Sequence, residues 1–109
     1  MALQQGETMA LTKIELAKLL GVYGPMLTQK QRDALAMYCE YDCSLSEIAD
    51  EVGISRQGVR DLLVNAEKTL TKLEENLHLS QFVSEITIAV ANNDMEKVSE
   101  LVNGYVAKE

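Results

Sequence analysis

Apolar residues recur every three to four positions along most of this chain, and a few breaks reset the phase. After a polar stretch over residues 1–10, which predicts a loose N-terminus, Leu16, Leu19, Leu20 and Tyr23 share one helical face. Thr12 and Glu15 stand in a capping-box relation ahead of it, and Gly24-Pro25 stops it. The next predicted helix starts at Thr28, whose relation to Gln31 repeats the capping pattern. It turns Ala34, Leu35 and Tyr38 inward, with Met37 beside them, and ends near Tyr41-Asp42.

From Ser44 to Leu62 the pattern becomes specific. Ile48 and Val52 lie four apart on a short helix capped by Ser44 or Ser46, and Ala49 leaves room for a second helix to cross. Gly53 supplies a turn that other residues make only with strain. Ile54 fills the gap, Ser55 caps the following helix, and Val59 and Leu62 are its inward positions. A short Gly-containing turn between two such faces is a helix-turn-helix. The second helix of that motif commonly enters a nucleic-acid groove.

That second helix runs on to Leu77 or His78. Val59, Leu63, Ala66, Leu70, Leu73 and Leu77 are spaced 4, 3, 4, 3, 4, a seam of about three heptads. The seam fits either packing within the chain or a homodimer. Beyond it, Ser80 is the expected cap of a helix reaching Asn92, with Phe82, Val83, Ile86 and Val90 inward. Asn92-Asn93-Asp94 forms a turn, Asp94 caps a last helix, and Met95, Val98, Leu101, Val102, Tyr105 and Val106 stripe it. The two together predict an acidic hairpin, read either as a cover for the long helix or as a docking surface. No segment has a strand period. The expected fold is all-α, one domain over 1–109, with a helix-turn-helix and long helix over 28–78 and a helical hairpin over 79–109.

Charge qualifies the nucleic-acid reading. The chain of 109 residues carries 10 Lys and Arg against 17 Asp and Glu, a net −7. Residues 28–78 hold six basic and ten acidic residues, and no segment is basic overall. An anionic ligand must therefore meet a local patch. Cys39 and Cys43 with one distant histidine, His78, do not make a metal set. No nucleophile–base arrangement or phosphate loop is present, so the sequence predicts neither an enzyme nor a cofactor. No apolar run is long enough for a membrane helix or a leader, and the expected location is cytoplasmic.

Two resemblances meet on residues 24–78. Leu27, Gln31-Arg32, Ser46-Glu47-Ile48-Ala49, Gly53-Ile54-Ser55 and Val59 resemble region 4 of bacterial sigma factors, which reads promoter DNA with its helix-turn-helix. Tyr23-Gly24-Pro25-Met26-Leu27-Thr28 with Lys30-Gln31-Arg32-Asp33, Ser44 to Ala49, and Gly53 to Gln57 are more specifically similar to the YlxM-like family. Leu77-His78-Leu79 resembles that family's end of the long helix. The resemblance covers residues 11 to about 79. It implies a small bacterial helical protein, a regulatory role, and components of the signal recognition particle pathway as candidate partners. Where the family usually continues Ala-Val-Tyr-Asp with a basic residue soon after, this chain has Gly58-Val59-Arg60-Asp61 and then Val64-Asn65.

The candidate binding surface is Ser55, Arg56, Gln57, Arg60, Asp61 and Val64, with DNA or RNA as ligand. Arg56 and Gln57 suit the edges of G and A, and Ser55 with the helix N-terminus suits a phosphate. Lys30 and Arg32 are candidates for a backbone clamp. The competing reading leaves Arg56 and Arg60 solvated or paired with Glu51 and Asp61. A third expectation is a protein adaptor of the same pathway that keeps the motif only as a scaffold.

Overall fold

A computed structural model describes residues 9–107, and side chains for 9–106. Residues 1–8 of the expected loose N-terminus lie outside the described residues, whereas Met9 is buried. The described residues form six α-helices and one 3-10 turn, without a strand: α1 Lys13–Tyr23, the turn Gly24–Met26, α2 Gln29–Cys39, α3 Leu45–Val52, α4 Arg56–Leu77, α5 Leu79–Ala91 and α6 Met95–Ala107. They divide into two compact units, the first ending at Asn76 and the second starting at Leu77.

Capping sets the boundaries of the first unit. Thr12, Thr28 and Ser44 each accept a hydrogen bond from the backbone three residues on, and the side-chain oxygens of Glu15, Gln31 and Glu47 each accept one from the cap's backbone N–H. Three capping boxes in succession satisfy backbone N–H groups that a helix start otherwise leaves unpaired. The α2 helix stops at Cys39, two residues before the sequence reading places its end, and beyond its cap Glu40 the chain turns through left-handed Asp42 (φ 54°). Lys13 of α1 pairs with the Asp42 carboxylate and lies over the Tyr38 ring, 4.8 Å from its centroid. The pair raises the Lys13 pKa, chiefly by hydrogen bonding to Asp42, and lowers that of Asp42.

The core of this unit joins all four of its helices. Leu16, Ala34, Leu35, Ile48, Val59, Leu63, Ala66 and Leu70 are wholly buried. The first four seam positions of α4 are therefore committed to their own chain, while Leu73 is half-buried and Leu77 exposed. Two carboxylates tie α4 to the first helix. Glu67, buried, accepts a 2.6 Å hydrogen bond from the backbone N–H of Leu11, just ahead of α1. Glu74 accepts one of 2.5 Å from the Tyr23 hydroxyl at the end of α1. Neither tie follows the helical period, and the sequence reading did not find them.

The second unit departs from expectation at its start. His78 takes a left-handed conformation (φ 52°) and breaks the chain between α4 and α5 without a loop. Ser80 is not a cap; it lies inside α5 and is buried, and His78 occupies the cap position with no side-chain hydrogen bond. Left-handed backbone is tolerated by His more readily than by most side chains, and it ends a helix as sharply as a glycine does. Asp94 does cap α6, accepting from the Lys97 N–H at 3.0 Å. Inside the hairpin the Phe82 and Tyr105 rings stack at 4.4 Å, and the Tyr105 hydroxyl donates to the Leu77 carbonyl at 2.8 Å. Ala89 is buried there, but Val83 and Val90, expected inward, are exposed.

Removing the Glu67 carboxylate leaves a tethered N–H without its charged acceptor. Glu67→Ala is expected to lower stability by about 1–3 kcal/mol in urea denaturation, and an exposed change such as Glu75→Ala by less than about 0.5 kcal/mol.

Candidate nucleic-acid interface

The motif is built by local chemistry at each joint. Leu45, Ile48 and Ala49 are the buried face of α3. Gly53 ends that helix at φ 83°, and its N–H donates to the Ala49 carbonyl at 2.8 Å. Ile54 follows, half-buried, with its N–H on the same carbonyl at 3.2 Å. The Ser55 side chain then accepts from the Gly58 N–H at 3.0 Å and starts α4. Val59 and Leu63 anchor α4 from within, while Leu62, expected inward, is half-buried.

Gly58 fits this joint closely. A Cβ there would sit 3.2 Å from the Ser55 hydroxyl oxygen and 3.4 Å from Ile54 Cδ1. The glycine that weakens the helix therefore also relieves crowding against its own cap.

The candidate residues do not share one environment. Ser55, Arg56, Gln57 and Asp61 are exposed on the outer side of the first turns of α4. Gln57 donates to the Asp61 carboxylate at 3.1 Å and stands 3.5 Å from an Arg60 guanidinium nitrogen. Arg60 is half-buried, and its Nε has no acceptor among the described residues. Val64, expected outward, is half-buried, and with Asp61, Asn65 and Lys68 it lines a shallow recess of about 320 Å³.

Lys30 and Arg32 serve different places. Lys30 is exposed and lines a groove of about 630 Å³ with Asp33, Met37, Tyr41, Glu51 and Val52. Arg32 turns back on the chain. Its guanidinium donates to the carbonyls of Gly24 and Leu27, at 3.2 and 3.1 Å, and to Gln29 Oε1 at 2.7 Å. It closes the 3-10 turn between α1 and α2, so its position in the sequence signature has a structural reason. Gly24 is buried beneath it, where a Cβ would meet Arg32 Cδ and Leu20 Cδ1 at 3.6 Å.

No cluster of His, Cys, Asp or Glu among the described residues could hold a metal ion. Cys39 and Cys43 are both free thiols, and burial pushes the Cys39 pKa up to about 11. No described helix is long and apolar enough to cross a membrane.

Residues 11–105 match a family model described as "Putative helix-turn-helix protein, YlxM / p13 like". The chain belongs to this family. Its YlxM/p13-like relatives include a UPF0122 protein of Mycoplasma capricolum, 42% identical over 79 residues, which are 72% of this chain and 69% of the relative. A UPF0122 protein of Desulforamulus reducens is 39% identical over 88 residues, 80% of this chain and 70% of that one. A third, from Lacticaseibacillus casei, is 49% identical over 57 residues, covering 52% and 50%. No solved structure matches.

Gly53 is the residue on which the turn of this YlxM/p13-like chain depends. Gly53→Ala forces a side chain into left-handed backbone and is expected to cost about 1–2 kcal/mol in thermal or urea unfolding. Arg32→Ala, which frees two turn carbonyls, should cost about 1–3 kcal/mol, with poor rescue by Arg32→Lys because a point charge lacks the fork.

Proposed function

We propose that this chain is a regulatory helix-turn-helix module that binds nucleic acid through the first turns of α4. The observation that carries the reading is the division of that helix. Its inner face is locked into the core by Val59 and Leu63, and its capped start leaves Arg56 and Gln57 exposed. A helix N-terminus with exposed Arg and Gln offers donors to phosphates and to base edges together. The membership of the chain in a helix-turn-helix family supports the same reading.

Arg60 lies beside this surface, half-buried, with its Nη1 3.5 Å from Gln57 Oε1. Gln57 must exchange its bond to Asp61 for a base edge. Lys30 contributes a charge at the groove between α2 and α3, whereas Arg32 is spent on the turn. With a net charge of −7, attraction comes from this patch alone, so binding is local and salt-sensitive. The placement of this activity in the signal recognition particle pathway rests on the family resemblance. The acidic charge and the Gln57–Asp61 pair favour a second reading, a protein adaptor that keeps the motif as scaffold.

Fluorescence anisotropy with duplex DNA and with RNA, titrated with salt, tests the proposal. Arg56→Ala and Arg60→Ala are each expected to weaken binding by roughly 1–3 kcal/mol and to flatten the salt slope by about one. Absence of binding at low salt, or indifference to both changes, overturns it. Pull-down before and after nuclease treatment separates the readings, since partners that persist after nuclease support the adaptor.

A further inference from the structure

The exposed side of α4 combines hydrogen-bond donors with a carboxylate set among them. Gln57, Asp61 and Lys68 fall within about 40° of one another around the helix, taking about 100° per residue, and lie opposite Val59, Leu63, Ala66 and Leu70. All three are exposed. Between Ser55 and Lys72 the chain holds two acids, Asp61 and Glu67. Glu67 is buried and bonded to the Leu11 N–H. Asp61 is therefore the carboxylate that a ligand lying along this side would meet.

Its neighbours make its position consequential. Asp61 Oδ1 accepts from Gln57 Nε2 at 3.1 Å, and Gln57 Oε1 stands 3.5 Å from Arg60 Nη1. Further along the helix, Asp61 lines the shallow recess with Val64, Asn65 and Lys68. A carboxylate here repels every phosphate that Arg56 or Lys68 attracts, whatever the base sequence. It also occupies the Gln57 amide, which must give up that bond to pair with an adenine edge. The carboxylate becomes favourable only against a base that donates to it, and the C4 amino group of cytosine is such a donor in the major groove. The same side of the helix indicates the form of the ligand. An α-helix fits the major groove of B-form DNA, whereas that of A-form RNA is too narrow for side chains to read. Single strands are held chiefly by stacking on aromatic rings, and α4 has none in its 22 residues.

We propose, resting on the reading of α4 as the binding helix, that Asp61 is a specificity-determining residue of the interface. It suppresses sequence-independent binding to duplex DNA and favours sites that place a cytosine against it. Affinity is given up at every site, and selectivity is gained at those whose base edge replaces the bond that Gln57 makes in the free protein.

Asp61→Asn in the full chain tests this, because it removes the charge and keeps an oxygen for Gln57; Asp61→Ala removes both. Asp61 is exposed, so neither change should alter circular dichroism or melting appreciably. Fluorescence anisotropy with a random-sequence duplex DNA pool at about 0.1 M salt is expected to show both variants binding roughly three- to tenfold tighter than wild type. Glu75→Gln raises the net charge equally but lies about 21 Å further along α4, and should leave affinity within about twofold. Selection and sequencing from the same pool should give a cytosine preference at one position with wild type, lost in both variants while the rest of the selected sequence remains. Wild-type binding that neither variant tightens, or a selected sequence that neither alters, overturns this proposal and leaves the reading of α4 standing. Wild type that binds RNA but not duplex DNA also overturns this proposal alone, whereas wild type that binds neither at low salt overturns both.

Discussion

The buried inner stripe of α4 is the constraint on which the first unit depends. Val59, Leu63, Ala66 and Leu70 have no exposure. They recur at the helical period, so burying them fixes the rotation of the helix about its axis. Once that rotation is set, Arg56, Gln57 and Asp61 have only the outside to occupy. The candidate interface is thus a consequence of packing several residues away. The same rotation brings Glu67 and Glu74 to α1, where backbone and phenol donors meet them. Their hydrogen bonds set α1 against α4 more specifically than apolar contact alone, because a carboxylate is directional and a methyl group is not.

The family signature carries two kinds of information, and the structure separates them. Arg32 looks in sequence like a basic residue available to an anion, yet its guanidinium closes the turn between α1 and α2. Thr28, Gln31, Ser44 and Glu47 of the matched segments are caps. Much of the segment that resembles the family is, in this chain, the chemistry of stopping and starting helices. Arg56 and Gln57 are different: they are exposed, and the side-chain bonds of Gln57 run only to Asp61 and Arg60 on its own helix. In an acidic chain, that small surface must supply the attraction for an anionic ligand.

The second unit obeys another balance. Its apolar residues outnumber what two helices can bury between them, because each helix offers its neighbour one edge only. Val83, Ile88, Val90, Met95, Val102 and Val106 therefore stay exposed.

The sequence by itself determined the elements and their joints. Thr12, Thr28, Ser44, Ser55 and Asp94 were legible as caps because each hydrogen bond spans three residues of chain. Gly53 was legible because left-handed backbone excludes most side chains. Local rules also misplaced one start, reading Ser80 as a cap where the left-handed His78 makes the break. What only the tertiary structure decided is how the apolar and charged positions are shared out. Leu70 is buried while Val90, with the same periodic claim, is exposed. Arg32 is bound to carbonyls while Arg56 is free of them. Periodicity says which residues lie on one face of a helix. Which face finds a partner depends on chain segments far away in sequence, as the 56 residues between Leu11 and Glu67 show.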